Sequence, residues 1–230
     1  MAIGAHPDDV EVGAGGLVAR FVHQGIRVGI VDLAAGEMST NGTVEERRQE
    51  AQRAALMLGA VWRKCLGLPD RDIALIKENV QALVTLIRES KPQLIICPYW
   101  EDRHPDHVNA AKLTAEANFD AGLKRIAPHL PPHRAKYIWH YFLSTAVEPQ
   151  FVVDVSPFYE IKRAAIKAHQ TQFGKDREQQ TFLNTGPGSM LSIIESRDRF
   201  YGARTGCMYG EGFITTAPLA VKDPSLLMGV

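Results

Sequence analysis

The sequence has 230 residues, and its 26 Lys and Arg residues equal its 26 Asp and Glu residues, so the formal net charge is zero. This length suits one domain, and neutrality argues against the positive field that holds nucleic acids or anionic membranes. Three widely spaced cysteines, no membrane-length apolar run and no signal-peptide pattern favour a reducing compartment. We therefore expect one domain over residues 1–230, in a cytoplasmic protein that binds a small molecule.

Short β-branched segments alternate with segments of helical period, the pattern of βαβ units around a mainly parallel sheet. The predicted strands are Ala2–Gly4, 27–33, 61–66, 93–98, 137–143 and 150–155. The predicted helices are 13–24, 43–59, 73–90, 108–124, 159–170 and 193–201, the second starting with a capping box of Thr43 and Glu46. Residues 173–180 are predicted to be a mobile surface loop, and the tail beyond Ala217 is loop-like. The fold class is α/β.

Two of the predicted strand ends carry a His-Pro-Asp sequence. HPDD begins at His6, after the first strand, and HPDH begins at His104, after the strand that ends at Pro98. Ligands of open α/β sheets bind beyond the carboxyl ends of the strands, so we expect the two turns to converge there. Three histidines and three aspartates in so small a space would be costly to bury without a cation. Either motif alone is more often a capped turn, but the pair predicts a divalent metal site.

Nitrogen and oxygen donors without a nearby thiolate suit zinc in a catalytic site with two histidines, one carboxylate and an open position. We predict one Zn²⁺ per subunit, held by His6, Asp9 and His107, although Fe²⁺ would accept the same ligands. The i, i+3 spacing across the proline turn lets His6 and Asp9 point to one side while Asp8 points elsewhere. Asp8 then remains beside the open position.

The remaining side chains of the two motifs suit hydrolysis. A metal ion lowers the pKa of a bound water to roughly 7, and a general base must still accept its proton. We predict Asp8 as this base. His104 is predicted to stabilise the developing oxyanion or to protonate the leaving amine, and Asp106 to orient a histidine.

The motifs resemble those of the LmbE-like, or PIG-L, family of zinc-dependent N-acetylglucosaminide deacetylases. The resemblance also covers Val31-Asp32-Leu33, Gly36-Glu37, Ser39-Thr40-Asn41-Gly42-Thr43, Arg47-Arg48-Gln49-Glu50-Ala51, Pro98-Tyr99-Trp100-Glu101-Asp102-Arg103 and Tyr209-Gly210-Glu211-Gly212-Phe213. This combination is similar to the bacillithiol-biosynthesis branch, which deacetylates N-acetylglucosaminyl-malate. The resemblance implies the same metal ligands, base and assisting histidine, and a Rossmann-like sheet with helices on both faces. It also implies a homo-oligomer, because the family often forms hexamers.

The resemblance further implies that arginines bind the substrate. Arg47 matches a family position near the substrate, Arg103 precedes the second motif, and Arg134 matches an arginine that reaches the site in relatives. Guanidinium groups suit the two carboxylates of a malate-bearing sugar. A solvated surface charge is the alternative for each. Tyr209 is expected either to reach the site or to pack at a subunit contact. Asp102 stands where some members have a tyrosine, so no tyrosine-assisted step is expected there.

Three other classes of function are compatible with parts of the pattern. Gly13-Ala14-Gly15-Gly16 suggests the phosphate-binding turn of a nicotinamide-dependent dehydrogenase, but it follows the strand too late and lacks the G-x-G-x-x-G spacing. A metal phosphoesterase would need ligands for a second ion. A sugar-binding module would have no use for Asp8 beside a metal. Within the deacetylase class, chitooligosaccharides and mercapturic-type conjugates remain alternative substrates.

Overall fold

The computed structural model of the chain describes residues 1–143, 147–174 and 189–221. The strands are β1 (Ala2–Gly4), β2 (Gly29–Ala34), β3 (Trp62–Leu68), β4 (Leu94–Pro98), β5 (Tyr137–Tyr141), β6 (Phe151–Asp154) and β7 (Gly210–Thr215). The helices are α1 (Asp9–His23), α2 (Val44–Leu58), α3 (Lys77–Ser90), α4 (Pro105–Ala121), α5 (Tyr159–Ala168), α6 (Gln170–Phe173) and α7 (Met190–Thr205), and a 3₁₀ turn at Ser156–Phe158 precedes α5.

The strands form one seven-stranded sheet in the order β3-β2-β1-β4-β5-β7-β6. The pairs from β3 to β5 are parallel, whereas β7 runs antiparallel to both β5 and β6. Ala2 of β1 lies opposite Ile30 of β2 and Ile96 of β4. The central position of β1 explains why three residues suffice there, because neighbouring strands flank it on both sides. The predicted α/β fold with a mainly parallel sheet is confirmed.

Helices cover both faces of the sheet. Alternate residues of each central strand enter separate hydrophobic cores, as the two-residue period of a strand requires. Ala2 and Ile96 pack with Leu17 of α1 and Ile166 of α5 on one face. A second core on the other face joins residues of the same strands to α3 and α4, and it includes Ile3, Ile95, Leu83 and Leu113. The near-continuous apolar strands are therefore those of a sheet buried on both sides.

Local signals in the sequence explain several boundaries. Thr43 and Glu46 form the predicted capping box at the start of α2, and Gly59 ends that helix with a φ of 76°. Helix α4 begins three residues before the predicted start because Pro105 occupies its first turn, where a missing N–H is tolerated. Among the described residues, no helix has the length and apolar character needed to cross a membrane.

One part of the secondary-structure prediction differs from the structure, and another concerns residues that the structure does not describe. Strand β7 was not predicted, because Gly210, Glu211 and Gly212 are residue types that are depleted in strands. Most of the loop predicted at 173–180 and most of the tail after Ala217 lie outside the described residues. Within them, Phe173 is the last residue of α6.

Candidate active site

The two His-Pro-Asp turns meet because they follow adjacent parallel strands. The first turn links β1 to α1, and the second ends the loop between β4 and α4. His104 is the N-cap of α4, so His107 lies in the first turn of that helix. The ring centroids of His6 and His104 are 4.8 Å apart, those of His104 and His107 are 4.7 Å apart, and those of His6 and His107 are 5.6 Å apart. The three imidazoles form one cluster.

The Asp9 carboxylate lies between two of these rings. One oxygen is 3.6 Å from Nδ1 of His6, and the other is 3.4 Å from Nε2 of His107. All three side chains are buried. The backbone N–H of His6 donates to Asp9 at 2.9 Å, which fixes the carboxylate against its own turn. The structure therefore brings together the three residues predicted to bind the metal.

Each of these two histidines has its second ring nitrogen on another carboxylate. Nε2 of His6 is 3.2 Å from Asp70 and 3.2 Å from Asp106, and Nδ1 of His107 is 2.9 Å from Asp102. Metal-binding histidines in proteins characteristically have such partners, which fix the tautomer and the ring orientation. The partners leave Nδ1 of His6 and Nε2 of His107 facing Asp9, as ligation of one ion would require.

Electrostatics at the cluster also favour a cation. Burial opposes protonation of both histidines, but hydrogen bonds to Asp106, Asp70 and Asp9 raise the pKa of His6 well above its ordinary value. Asp9 and Asp102 similarly raise the pKa of His107 to about 9. Against the effect of burial, the charge of His107 holds the pKa of Asp9 well below its usual range. The carboxylates around His6 and His107 therefore favour positive charge on these two rings. A bound metal ion would supply that charge and displace the protons.

His104 adjoins the same point. One ring nitrogen each of His6, His104 and His107 lies within 4.8 Å of the other two. Nδ1 of His104 accepts the backbone N–H of Asp106 at 3.2 Å, which fixes the ring. Burial and the nearby charges of His107 and His6 lower the pKa of His104. A second set of three possible donors, His6, Asp70 and Asp106, lies behind the first, but it uses the Nε2 side of His6.

Asp8 and Arg47 form the adjoining side of the site. Asp8 has a φ of 146°, a region that residues with side chains rarely adopt, so its backbone is strained. The Arg47 guanidinium is 3.6 Å from the Asp8 carboxylate and also donates to the carbonyls of Pro7 and Gly36. Burial raises the pKa of Asp8, Arg47 opposes that shift, and Asp9 adds to it. Asp8 thus contacts Arg47, whereas its neighbour Asp9 contacts His6 and His107.

A cavity of about 280 Å³ opens over this cluster. Its walls include most of the predicted site residues: His6, Asp8, Asp9, Arg47, Arg103, His104 and His107. The other residues that line it are Val12, Met38, Ser39, Thr40, Asp70, Arg71, Leu143, Gln172, Phe173 and Met190. Polar groups and an apolar wall together suit a small, partly polar ligand.

Three residues named from the sequence, Asp106, Arg134 and Tyr209, do not line the cavity, and of these only Arg134 differs from its expected position. Asp106 is fully buried and touches His6, not His104, with its carboxylate, which also accepts the backbone N–H of Arg71 at 2.7 Å. Arg134 does not line the cavity. Its guanidinium donates to the carbonyl of Phe119 at 2.7 Å and stacks on that ring, at the end of α4 remote from His104. Tyr209 stacks on Tyr159 and also lies away from the cavity.

Two carboxylates of the site were not predicted. Asp70 follows β3, and its approach to His6 depends on a loop whose course the sequence does not reveal. Asp102 was considered only as a substitute for a tyrosine, whereas its carboxylate supports His107 and also accepts the backbone N–H of His104 at 2.8 Å. A signal existed for Asp102, because an aspartate five residues before a predicted metal ligand can reach that ligand across a helix start.

A model of the family described as PIG-L, GlcNAc-PI de-N-acetylase, matches residues 1–118, the half of the chain that contains both motifs. The chain belongs to the PIG-L family. It is therefore a deacetylase of substrates that contain N-acetylglucosamine, in a family that depends on a metal ion. The ring nitrogens of His6, His104 and His107, which lie within 4.8 Å of one another, fit such an ion, and Asp9 contacts two of these rings.

Three known proteins are similar to this PIG-L member over more than nine-tenths of its length. A diacetylchitobiose deacetylase of Thermococcus kodakarensis is 29% identical, over 92% of this chain and 80% of that protein. The crystal structure of a conserved protein of Thermus thermophilus matches with a TM-score of 0.85 and 32% identity, over 96% of this chain and 95% of that one. The crystal structure of the N,N'-diacetylchitobiose deacetylase of Pyrococcus horikoshii matches with a TM-score of 0.81 and 25% identity, over 94% and 82%.

Proposed function

We propose that this protein is a zinc-dependent hydrolase that removes the acetyl group of N-acetylglucosaminyl-malate, a step of bacillithiol biosynthesis. One Zn²⁺ per subunit would be held by His6, Asp9 and His107. The observation that carries the metal assignment is the orientation of the two histidines. Each has one ring nitrogen on a carboxylate, which leaves Nδ1 of His6 and Nε2 of His107 facing Asp9.

The reaction adds water to the acetyl carbon and breaks the C–N bond, giving acetate and a free amine. A bound zinc ion would polarise the acetyl carbonyl and lower the pKa of water. Asp8 accepts the proton of the attacking water. For this the carboxylate must be ionised, and Arg47 at 3.6 Å favours that form while burial keeps the group basic.

His104 is proposed to act on the other side of the scissile bond. It lines the cavity, and the N–H of Asp106 fixes its ring through Nδ1. Nε2 therefore remains to donate a hydrogen bond to the acetyl oxygen as it becomes negative, or to protonate the leaving nitrogen. The lowered pKa of His104 makes its protonated form a ready proton donor. Asp106 acts through His6 instead, as a residue that positions a metal ligand.

The arginines of the cavity support a substrate with carboxylates. Arg47, Arg71 and Arg103 line the same cavity as the metal donors. We propose Arg103 and Arg71 for the two carboxylates of malate, because guanidinium groups form bidentate hydrogen bonds with carboxylates, and Arg47 for holding Asp8. Arg134 does not line the cavity of its own chain. It could contact a substrate only in the cavity of another subunit.

A chitooligosaccharide is the second candidate substrate, since the similar protein of T. kodakarensis is a diacetylchitobiose deacetylase. The two substrates differ in charge, so acetate release from N-acetylglucosaminyl-malate, diacetylchitobiose and free N-acetylglucosamine separates them. We expect the zinc-loaded protein to prefer the malate conjugate, and to lose that preference in Arg103→Gln. A preference for diacetylchitobiose would refute N-acetylglucosaminyl-malate as the substrate, but it would leave the deacetylase activity supported.

The residue roles have a separate test. Asp8→Asn should retain the metal and lower turnover by about 10²- to 10⁴-fold, the usual effect of a positioned acid–base group. His107→Ala should lose the metal itself. Metal content by elemental analysis, beside acetate release, distinguishes the two. Two tightly bound ions per subunit would instead favour a metal phosphoesterase that also uses Asp70 and Asp106.

The oligomeric state and the identity of the metal complete the proposal. We propose a homo-oligomer, a hexamer by its family resemblance, and its mass in solution can be measured by light scattering. Zinc and Fe²⁺ are distinguished by reconstituting the apoprotein with each ion under anaerobic conditions. A higher rate with Fe²⁺ would overturn the zinc assignment.

A further inference from the structure

Helix α1, which begins at Asp9, is broken at Ala14, where φ is −144° and ψ is 17°. In a continuous helix the amides of Gly16 and Leu17 would donate to carbonyls four residues earlier. Here both amides donate to the carboxylate of Glu211, at 2.8 and 2.7 Å. On the other side of the break, the carbonyl of Val12 accepts Nη2 of Arg197 at 2.9 Å. Side chains from β7 and α7 therefore bind the backbone on both sides of the break.

Four buried charges make up this arrangement. The ammonium group of Lys162 contacts Asp198 at 2.6 Å and Glu211 at 2.7 Å, and Arg197 pairs with Asp198 at 3.0 Å. Lys162 and Asp198 are fully buried, and Glu211 is 1% exposed. Two positive and two negative groups balance. Buried ion pairs are weak contributors to stability compared with apolar packing, so a role in specifying one conformation is the better explanation of this network.

Glycines on both sides of the break allow the close packing around it. A Cβ on Gly13 would lie 2.0 Å from the ring of Tyr141, and one on Gly16 would lie 2.6 Å from Val155. The glycine-rich segment that suggested a phosphate-binding turn thus serves packing. Glu211 comes from the Tyr-Gly-Glu-Gly-Phe motif near the end of the chain. The proposed reaction uses neither sequence, yet the two meet at the break.

We propose that Arg197 and Glu211 are positioning residues, which hold the break in α1 and thereby fix where its short first segment presents Asp8 and Asp9. That segment runs only from Asp9 to Gly13, too short to hold its own orientation. Arg197 also donates to the carbonyls of Phe142 and Leu143. Val12 and Leu143 both line the cavity, so one guanidinium joins two of its walls.

The inference rests on the proposed function, because it concerns the base and a ligand assigned there. The matched variants are Arg197→Lys and Arg88→Lys. Arg88 of α3 is equally a buried arginine that donates to backbone carbonyls, those of Ala121 and Leu123 among them, but these lie at the end of α4 remote from His104. Both variants lose guanidinium hydrogen bonds in the interior, and only Arg197 touches α1.

Three measurements distinguish positioning from a general loss of stability: the affinity of the apoprotein for Zn²⁺, the kcat and KM for acetate release, and the melting temperature. Arg197→Lys should lower kcat by about 10- to 100-fold with little change in KM, because small displacements of reacting groups have such effects. It should also weaken Zn²⁺ binding by about 10-fold or more. Arg88→Lys should lower the melting temperature and leave kcat and Zn²⁺ affinity unchanged.

Glu211→Gln provides a second, independent test, which remains informative even if Arg197→Lys does not fold. It should reduce kcat and Zn²⁺ affinity in the same direction and accelerate hydrogen exchange at the amides of Gly16 and Leu17. Unchanged Zn²⁺ affinity and kcat in Glu211→Gln would overturn the inference, as would equal losses in Arg88→Lys. Failure of the wild type to bind Zn²⁺ or to release acetate would instead overturn the proposed function.

Discussion

Asp102 offers a direct test of the proposed metal centre, because it touches a predicted ligand without being one. One oxygen of its carboxylate is 2.9 Å from Nδ1 of His107 and 2.8 Å from the backbone N–H of His104. Asp102→Ala removes the acceptor for both groups, so the His107 ring is free to rotate away from Asp9. Asp102→Asn keeps an oxygen that can accept both hydrogens and removes only the charge.

The magnitude follows from these contacts. Carboxylate partners of metal-binding histidines contribute about 10- to 100-fold in metal affinity, or about 1.4 to 2.8 kcal/mol. We expect about 100-fold weaker Zn²⁺ binding for Asp102→Ala, which loses charge and geometry, and about 10-fold for Asp102→Asn. Competition of the apoprotein with a chromogenic chelator measures these affinities directly.

The control for this series is Glu116→Gln, which removes one negative charge from an exposed position of α4, the helix that carries His107. It should bind Zn²⁺ as the wild type does. Zn²⁺ affinity in Asp102→Ala within about two-fold of the wild type would refute the reasoning, since the geometry assigns Asp102 a tenfold effect at least. An equal loss in Glu116→Gln would show that net charge, not the contact with His107, is responsible.

Three further predictions concern other parts of the chain. Thr43→Ala should cost about 0.5 to 2 kcal/mol of stability, seen as a lower melting temperature, because Thr43 caps α2 together with Glu46. Burial lowers the pKa of His140, whose Nδ1 donates to Pro98, so the unfolded chain binds a proton there that the folded chain does not. Stability should therefore fall as the pH drops below about 6.5, by at most about 1.4 kcal/mol per pH unit, and less steeply in His140→Gln by urea unfolding. Arg134→Ala should leave the KM for N-acetylglucosaminyl-malate unchanged, and a large increase would place this residue at a substrate site.

The sequence was sufficient to predict the fold class, because β-branched runs and helical periods are local signals. The convergence of His6 and His104 was also predictable, since both follow strands of one parallel sheet. Strand β7 was not, because burial between β5 and β6 overrides the low strand propensity of Gly210 and Gly212.

The supporting contacts of the site were harder to predict than its centre. Asp70 reaches His6 from a loop after β3, and Arg197 reaches Val12 from a helix 185 residues away in the chain. Such contacts depend on tertiary packing, and the spacing of residues in the sequence does not predict them. Arg134 illustrates the converse, because a residue matched by resemblance lies on Phe119, outside the cavity.

The different roles proposed for Asp8 and Asp9 agree with the different surroundings of these two adjacent carboxylates. Asp9 lies between two imidazoles, and against the effect of burial the charge of His107 holds its pKa well below the usual range, as the proposed role of an ionised metal ligand requires. Burial raises the pKa of Asp8, and the negative charge of Asp9 raises it further, although Arg47 opposes both. Adjacent acids whose environments move their pKa values apart are suited to different tasks. In the proposed reaction Asp8, beside Arg47, would accept the proton of water, whereas Asp9, between His6 and His107, would stay ionised as a metal ligand.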